Sequence, residues 1–171
     1  MKKRTSYLII AIVIVVGLIL DLVTKHIFAD MFKGGREDIV VIPNFFRFTY
    51  LENKGAAYGI FAGSTWGLTI VSILFIIGFF VFDYFYHNND WLYLLGFGFI
   101  ISGAIGNLVD RLFLQYVRDF ISIEIFSFVF NLADLFITIG AILSIVYLLI
   151  KTITESKEKK EKEHTDELDN K

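Results

Sequence analysis

The sequence predicts an all-α membrane protein, a four-transmembrane-helix bundle. Hydrophobic residues make up 56% of the 171 and charged residues only 20%. Mean hydropathy is +0.64, and the apolar residues gather in four runs, at about 7–29, 66–86, 91–110 and 132–151. That composition lies outside the ordinary soluble class. A helix of about 19 residues rises roughly 28 Å, close to the roughly 30 Å of bilayer hydrocarbon. Each run is therefore long enough to cross, and without water to satisfy its peptide groups it must do so as a helix.

Residues 1–150 read as a single integral-membrane domain and residues 151–171, dense in Lys and Glu, as a charged, solvated and frayed cytoplasmic tail. The net charge of −2 points to no class of partner, and the scattered basic residues give no nucleic-acid footprint. The chain contains no cysteine, which excludes disulfides, thiol catalysis and cysteine metal sites. Lys2, Lys3 and Arg4 followed by the apolar run Tyr7 to Leu20 imitate a secretory signal. The lack of a small-residue cleavage site and the three later spans favour a resident first helix.

Basic flanks set orientation. The N-terminal cluster and the Lys-rich tail both favour the cytoplasm, which an even number of spans permits. Two stretches run against the pattern: Asp83 to Asp90 has no Lys or Arg, while Asp30 to Thr65 holds Lys33, Arg36, Arg47 and Lys54. With the termini inside, Asp21, Lys25, Asn53, Asn107, Asp110, Arg111, Asn131 and Asp134 all fall near the outer face. That concentration favours one site near the outer surface over a channel. Phe46 to Tyr50 and Ile121 to Ile125 alternate apolar and polar residues, the period of a half-buried strand. A small sheet with one greasy face is expected beside the site, with Gly34-Gly35 and Pro43 as turns.

The chemistry centres on Asp119 and Asp134. Ionisable residues near membrane depth are costly and mark functional sites, and two carboxylates held close are split into an acid and a base. One ionised aspartate would take a proton from water while the other donates to a carbonyl oxygen or leaving nitrogen. The competing reading makes Asp134 part of a helix cap started by Asn131 and Asp119 part of an Arg118-linked surface loop. Asp21 and Lys25 share a helix face at i,i+4. They read first as a structural salt bridge, with Lys25 holding a lipid or substrate backbone as the functional alternative. Gly98, Ser102 and Gly106, spaced by four, suit close helix packing. Asn107 and Arg111 share a face and suit support of an aspartate or an anionic headgroup. The histidines His26, His87 and His164 have no zinc-ligand spacing, so no metal or other cofactor is expected. A serine–lysine dyad of Lys25 with Ser64, Ser122 or Ser127 stays open.

Taken in order, five motifs resemble the lipoprotein signal peptidase family (signal peptidase II). They are Asp21-Leu22-Val23-Thr24-Lys25, Asn53-Lys54-Gly55-Ala56-Ala57-Tyr58-Gly59, the run Gly103 to Arg111, Val117-Arg118-Asp119-Phe120 and Phe130-Asn131-Leu132-Ala133-Asp134. The resemblance covers about residues 7 to 150. It implies four transmembrane helices with a small extracytoplasmic β-cradle and loop. It also implies an aspartyl endopeptidase that cuts the signal peptide from a lipid-modified prolipoprotein just before a diacylglyceryl-cysteine, needs no metal and is blocked by globomycin. Asp119 and Asp134 match the family's catalytic pair; Asp21, Lys25, Asn53, Gly55, Asn107, Arg111, Asn131 and Ala133 match its supporting positions. Leu22, Glu52 and Leu135 depart from the common Gln, Arg or His, and Ser, which touches substrate contact rather than the matched aspartates. The chain is expected to act as a monomer among membrane lipids. A small proton-coupled transporter would instead place its ionisable residues near the midplane with access from both faces. A structural scaffold would need no acid pair at all.

Overall fold

The computed structural model describes residues 3–55, 65–126 and 128–169. Four helices long and apolar enough to cross a membrane dominate it: α1 (Lys3–Met31), α2 (Thr65–Tyr86), α3 (Trp91–Leu114) and α4 (Leu132–Asp169). Between them lie four strands, β1 (Ile39–Ile42), β2 (Phe46–Asn53), β3 (Val117–Ile123) and β4 (Phe128–Phe130), in one antiparallel sheet of order β1-β2-β3-β4. The two alternating segments are thus strands, although β3 stops at Ile123 and Glu124–Phe126 form a 3-10 turn. The expected turns also form. Gly34 and Gly35 sit at φ 86° and 79°, and Asn44, after Pro43, at φ 59°. Ala56 to Gly59 of the second motif, Ser64 and Ser127 lie outside the described residues.

Helix α3 is the axis of the bundle. It is buried along most of its length, whereas α1, α2 and α4 expose most of theirs, as apolar helices do when lipid is the solvent. On α1 the buried residues Ser6, Ile10, Gly17, Asp21 and Lys25 follow a single helical stripe. Ile10 joins Tyr93, Leu94, Phe97 and Ile101 in the apolar core. At the end away from the aspartates, Asp83 lies inside α2 rather than in a loop. Its carboxylate accepts from the Tyr93 hydroxyl at 2.7 Å and meets His87 Nδ1 at 2.8 Å. His87 Nε2 in turn meets Ser6 Oγ at 2.8 Å, tying α1, α2 and α3 together.

Small residues bring α3 and α4 together. Gly96 and Gly103 on α3 face Gly140 and Ala133 on α4: a Cβ on Gly103 would meet the Ala133 carbonyl, and one on Gly140 the Gly96 carbonyl. Within a membrane such close backbone approach is a main source of helix association. α4 also continues as one helix through the charged segment to Asp169. The charged side chains of 151–162 are exposed as expected, but the described residues from Lys151 to Asp169 are helical rather than frayed. The segment has good helix formers in Lys and Glu, and Lys151 meets Glu155 at i,i+4.

The Gly103 contact is with backbone and cannot be relieved by a rotamer. Gly103→Ala is expected to destabilise the bundle by about 1–3 kcal/mol, read as a lowered thermal unfolding midpoint in detergent micelles.

Candidate active site

Asn131 starts α4 and shapes the site. Its side-chain oxygen accepts from Asp134 N at 3.1 Å, and its own backbone N–H donates to Asp134 Oδ2 at 3.1 Å. This reciprocal cap satisfies orphan donors of the helix start. The cap expected at Asp134 is therefore real, yet it does not exclude a chemical role. Asn131 Nδ2, left over from capping, donates to Asp119 Oδ1 at 2.6 Å. One residue thus holds both carboxylates, although they lie on different elements.

Asp119 lies on β3 and is 1% exposed, so it is not in a surface loop. Arg118, beside it, pairs with Asp110 instead of with Asp119. From β2, Asn53 Nδ2 donates to Asp119 Oδ2 at 2.8 Å, and Gly55 N–H donates to Asn53 Oδ1 at 3.0 Å, fixing that amide's orientation. Asp134 is half-buried and accepts a third contact, from Asn107 Nδ2 at 2.8 Å. Asn107 is oriented by its other end, whose Oδ1 accepts from Lys25 Nζ at 2.9 Å and from Asn131 Nδ2 at 3.1 Å. Because an ammonium can only donate, the Asn107 amide nitrogen must turn to Asp134.

Lys25 itself is fully buried and forms an ion pair with Asp21 at 2.8 Å, with Asp110 at 3.6 Å. Its contacts make it a structural cation, as the salt-bridge reading of Asp21 and Lys25 expects. The other Asp21 oxygen accepts from Ala133 N at 2.9 Å, fixing the first turn of α4 to α1. Gly106 leaves room for that carboxylate, where a Cβ would strike Asp21. Arg111 is half-buried, with Asp134, Asp119 and Asp110 in electrostatic reach. All ten residues singled out from the sequence therefore gather in or beside one network.

Asp110 and Arg118 matter more than sequence reasoning gave them credit for. Arg118 donates to Asp110 from Nη2 at 2.6 Å, Nε at 3.2 Å and its backbone N at 3.0 Å. No local spacing signals this pair, because the two residues meet only through the chain reversal after α3. Of the departures from the family pattern, Leu22 and Leu135 are half-buried and Glu52 is exposed, opposite Arg118 in the strand register. None is hydrogen-bonded to either aspartate. Ser122 pairs with Arg47 across the sheet. It lines a hollow of about 410 Å³ with Arg47, Glu124 and Phe128, so its surroundings are not those of the Lys25 ammonium.

Four carboxyls (Asp21, Asp110, Asp119, Asp134) face three cations (Lys25, Arg111, Arg118), so the cluster is neutral when one carboxyl keeps a proton. Burial pushes the Asp119 carboxyl up to about 7, with the charge of Asp134 adding to the rise and the Asn53 and Asn131 amides and Lys25 opposing it. A carboxyl with proton affinity raised from 3.8 contributes stability in full below that value and loses it as pH rises through about 7.

The sequence profile described as signal peptidase (SPase) II matches residues 13–150. A lipoprotein signal peptidase of Microcystis aeruginosa is 46% identical over 153 residues, covering 88% of this chain and 94% of that protein. One from Clostridium novyi is 42% identical over 142 residues, covering 81% and 95%. A bacterial membrane enzyme structure determined by the in meso method at 2.3 Å resolution superposes with a TM-score of 0.73 at 36% identity, covering 88% of this chain and 90% of that one. The fold and site define a membrane-embedded peptidase of the aspartic type. The chain belongs to the signal peptidase II family.

Infrared difference spectra should show a protonated carboxylic acid lost with a midpoint near pH 7. The signal should be absent in Asp119→Asn and shifted to lower pH in Asp134→Asn, where the neighbouring negative charge is gone.

Proposed function

We propose that this enzyme removes the signal peptide from lipid-modified prolipoproteins, cutting just before the diacylglyceryl-cysteine, with Asp119 and Asp134 as the catalytic pair. The observation that carries the assignment is the Asn131 side chain, which bonds one aspartate while capping at the other. Asp134, held by an N–H of the helix start and by Asn107, carries the negative charge, which the first turn of a helix favours. Asp119 keeps the proton. A water between them gives a proton to Asp134 and attacks the scissile carbonyl carbon while Asp119 protonates the carbonyl oxygen. The C–N bond of the resulting diol then breaks as Asp134 passes its proton to the leaving nitrogen and the diol returns a proton to Asp119. Both aspartates end as they began.

Asp21, Lys25, Asn107, Asn131 and Ala133 hold this geometry, Asn53 and Gly55 fix Asp119 from β2, and Arg111 offers its guanidinium to the substrate backbone. The substrate's acyl chains and apolar signal helix share the bilayer with the enzyme, so the lipid sets the depth of the scissile bond. The site is assembled from one chain, which supports a working monomer, and a globomycin-type lipopeptide would occupy the aspartate pair. Lys3, Arg4 and the basic residues of 151–162 lie at the bundle end away from the pair. By the basic-flank rule this puts both termini and the 151–171 tail in the cytoplasm and the site near the extracytoplasmic face. Residues 1–150 then form the peptidase body. The transporter reading finds no support: the relatives are peptidases, and an apolar core of Ile10, Leu94, Phe97 and Ile101 separates the aspartate network from the Asp83–His87 cluster.

Asp119→Asn and Asp134→Asn should each cut a lipidated prolipoprotein about 10²–10⁴-fold more slowly than wild type while remaining folded. Near-normal cleavage by either overturns the pair. Because the chain has no native cysteine, single cysteines report orientation. In intact cells an impermeant maleimide should label Val40→Cys on the exposed β1 strand and leave Lys157→Cys unlabelled.

A further inference from the structure

The catalytic cycle makes no use of Asp110, yet it is 1% exposed and accepts three donors from one residue, Arg118, with Lys25 Nζ at 3.6 Å. After α3 the chain reverses sharply, with Gln115 left-handed at φ 65°, and β3 starts at Val117. Arg118 is the residue before Asp119, and neighbours on a strand face opposite sides. A slip of one residue would turn Asp119 away from Asn131 and α4. Backbone pairing guards poorly against such a slip here, because the β2–β3 ladder is irregular between Phe48 and Leu51, and Leu51 is the partner of Asp119.

We infer that Asp110, through its grip on the backbone and guanidinium of Arg118, is a positioning residue that pins the register of β3 and so the placement of the Asp119 carboxyl. The inference rests on the catalytic reading of Asp119. A planar guanidinium held at two nitrogens fixes direction as well as distance, and the added bond to Arg118 N–H fixes the main chain itself. The pair also sets the local charge. Asp119 is faced by Lys25 from α1, Asn53 from β2, Arg111 from α3 and Asn131 and Asp134 at the start of α4, while Arg118 on its own strand points to the other side, toward Asp110. Asp110 offsets Arg118 and part of Lys25.

Steady-state cleavage of a lipidated prolipoprotein in micelles, measured against pH, tests this. Asp110→Asn should lower kcat about tenfold or more with KM little changed, because a small displacement of a reacting group costs rate rather than binding. It should also move the alkaline limb of the profile to lower pH, since Arg118 and Lys25 lose a counter-charge. Arg118→Gln should move the limb to higher pH. A purely structural role predicts no such opposition. Wild-type kcat in Asp110→Asn, or limbs that do not move apart, overturns the inference. Should Asp110→Asn fail to fold, Arg118→Lys decides: it keeps the charge and loses the fork. Reduced kcat at unchanged KM then supports the positioning role, and wild-type kcat overturns it. Asp119→Asn, run alongside, separates the two claims. If it is inactive while Asp110→Asn cuts normally, only the positioning role falls. If it cuts normally, the catalytic assignment falls.

Discussion

The structure depends on a buried ammonium. Lys25 has no solvent exposure, and stripping water from such a charge costs several kcal/mol before any partner is counted. It is tolerated because Asp21, Asn107 and Asp110 surround it at 2.8, 2.9 and 3.6 Å. Each of these then reaches outward: Asp21 to the start of α4, Asn107 to Asp134, and Asp110 to β3. Two elements, β3 and α4, are thus oriented through one cation on α1. In a low-dielectric setting such a network is stable only when every member is satisfied, which is why its parts are so interdependent.

Packing makes this network possible. Lipid supplies no hydrophobic drive between helices, so the drawing together of α3 and α4 rests on backbone proximity at Gly96, Gly103 and Gly140 and on the small Ala133. The same closeness brings Asn107 and Asn131 within 3.1 Å. Glycines that look like packing residues therefore determine whether amides on neighbouring helices can meet. The lipid-facing surfaces of α1, α2 and α4 have no such constraint and are simply apolar.

Much of this was legible in the sequence. The four spans followed from length and apolarity, and β2 and β3 from the alternation in Phe46 to Tyr50 and Ile121 to Ile125. The i,i+4 spacing of Asp21 and Lys25 exposed their ion pair, and the spacing of Asn131 and Asp134 exposed the cap. β1 and β4 were hidden because Ile39–Ile42 is a continuous apolar run and Phe128–Phe130 is too short to show a period. The Asp110–Arg118 pair was hidden because it depends on how the chain reverses after α3, which no local pattern encodes. The helix beyond Ile150 was read as frayed from its charge. Charge repels solvent-poor packing but does not oppose helix formation in a Lys- and Glu-rich segment. Nor did spacing reveal that Asn131 reaches Asp119, since its side-chain amide is committed to both a local and a distant task.

That double commitment narrows what evolution can place at residue 131. Aspartate, serine or threonine would begin α4 about as well as asparagine. None of them keeps an amide nitrogen to donate to Asp119 and Asn107 while its oxygen is occupied at Asp134, and an aspartate would add a further negative charge beside an already crowded cluster. A position that tolerates substitution in most helices is reduced here to a single amino acid, so a mutational survey of residue 131 would score equally good helix starters as inactive.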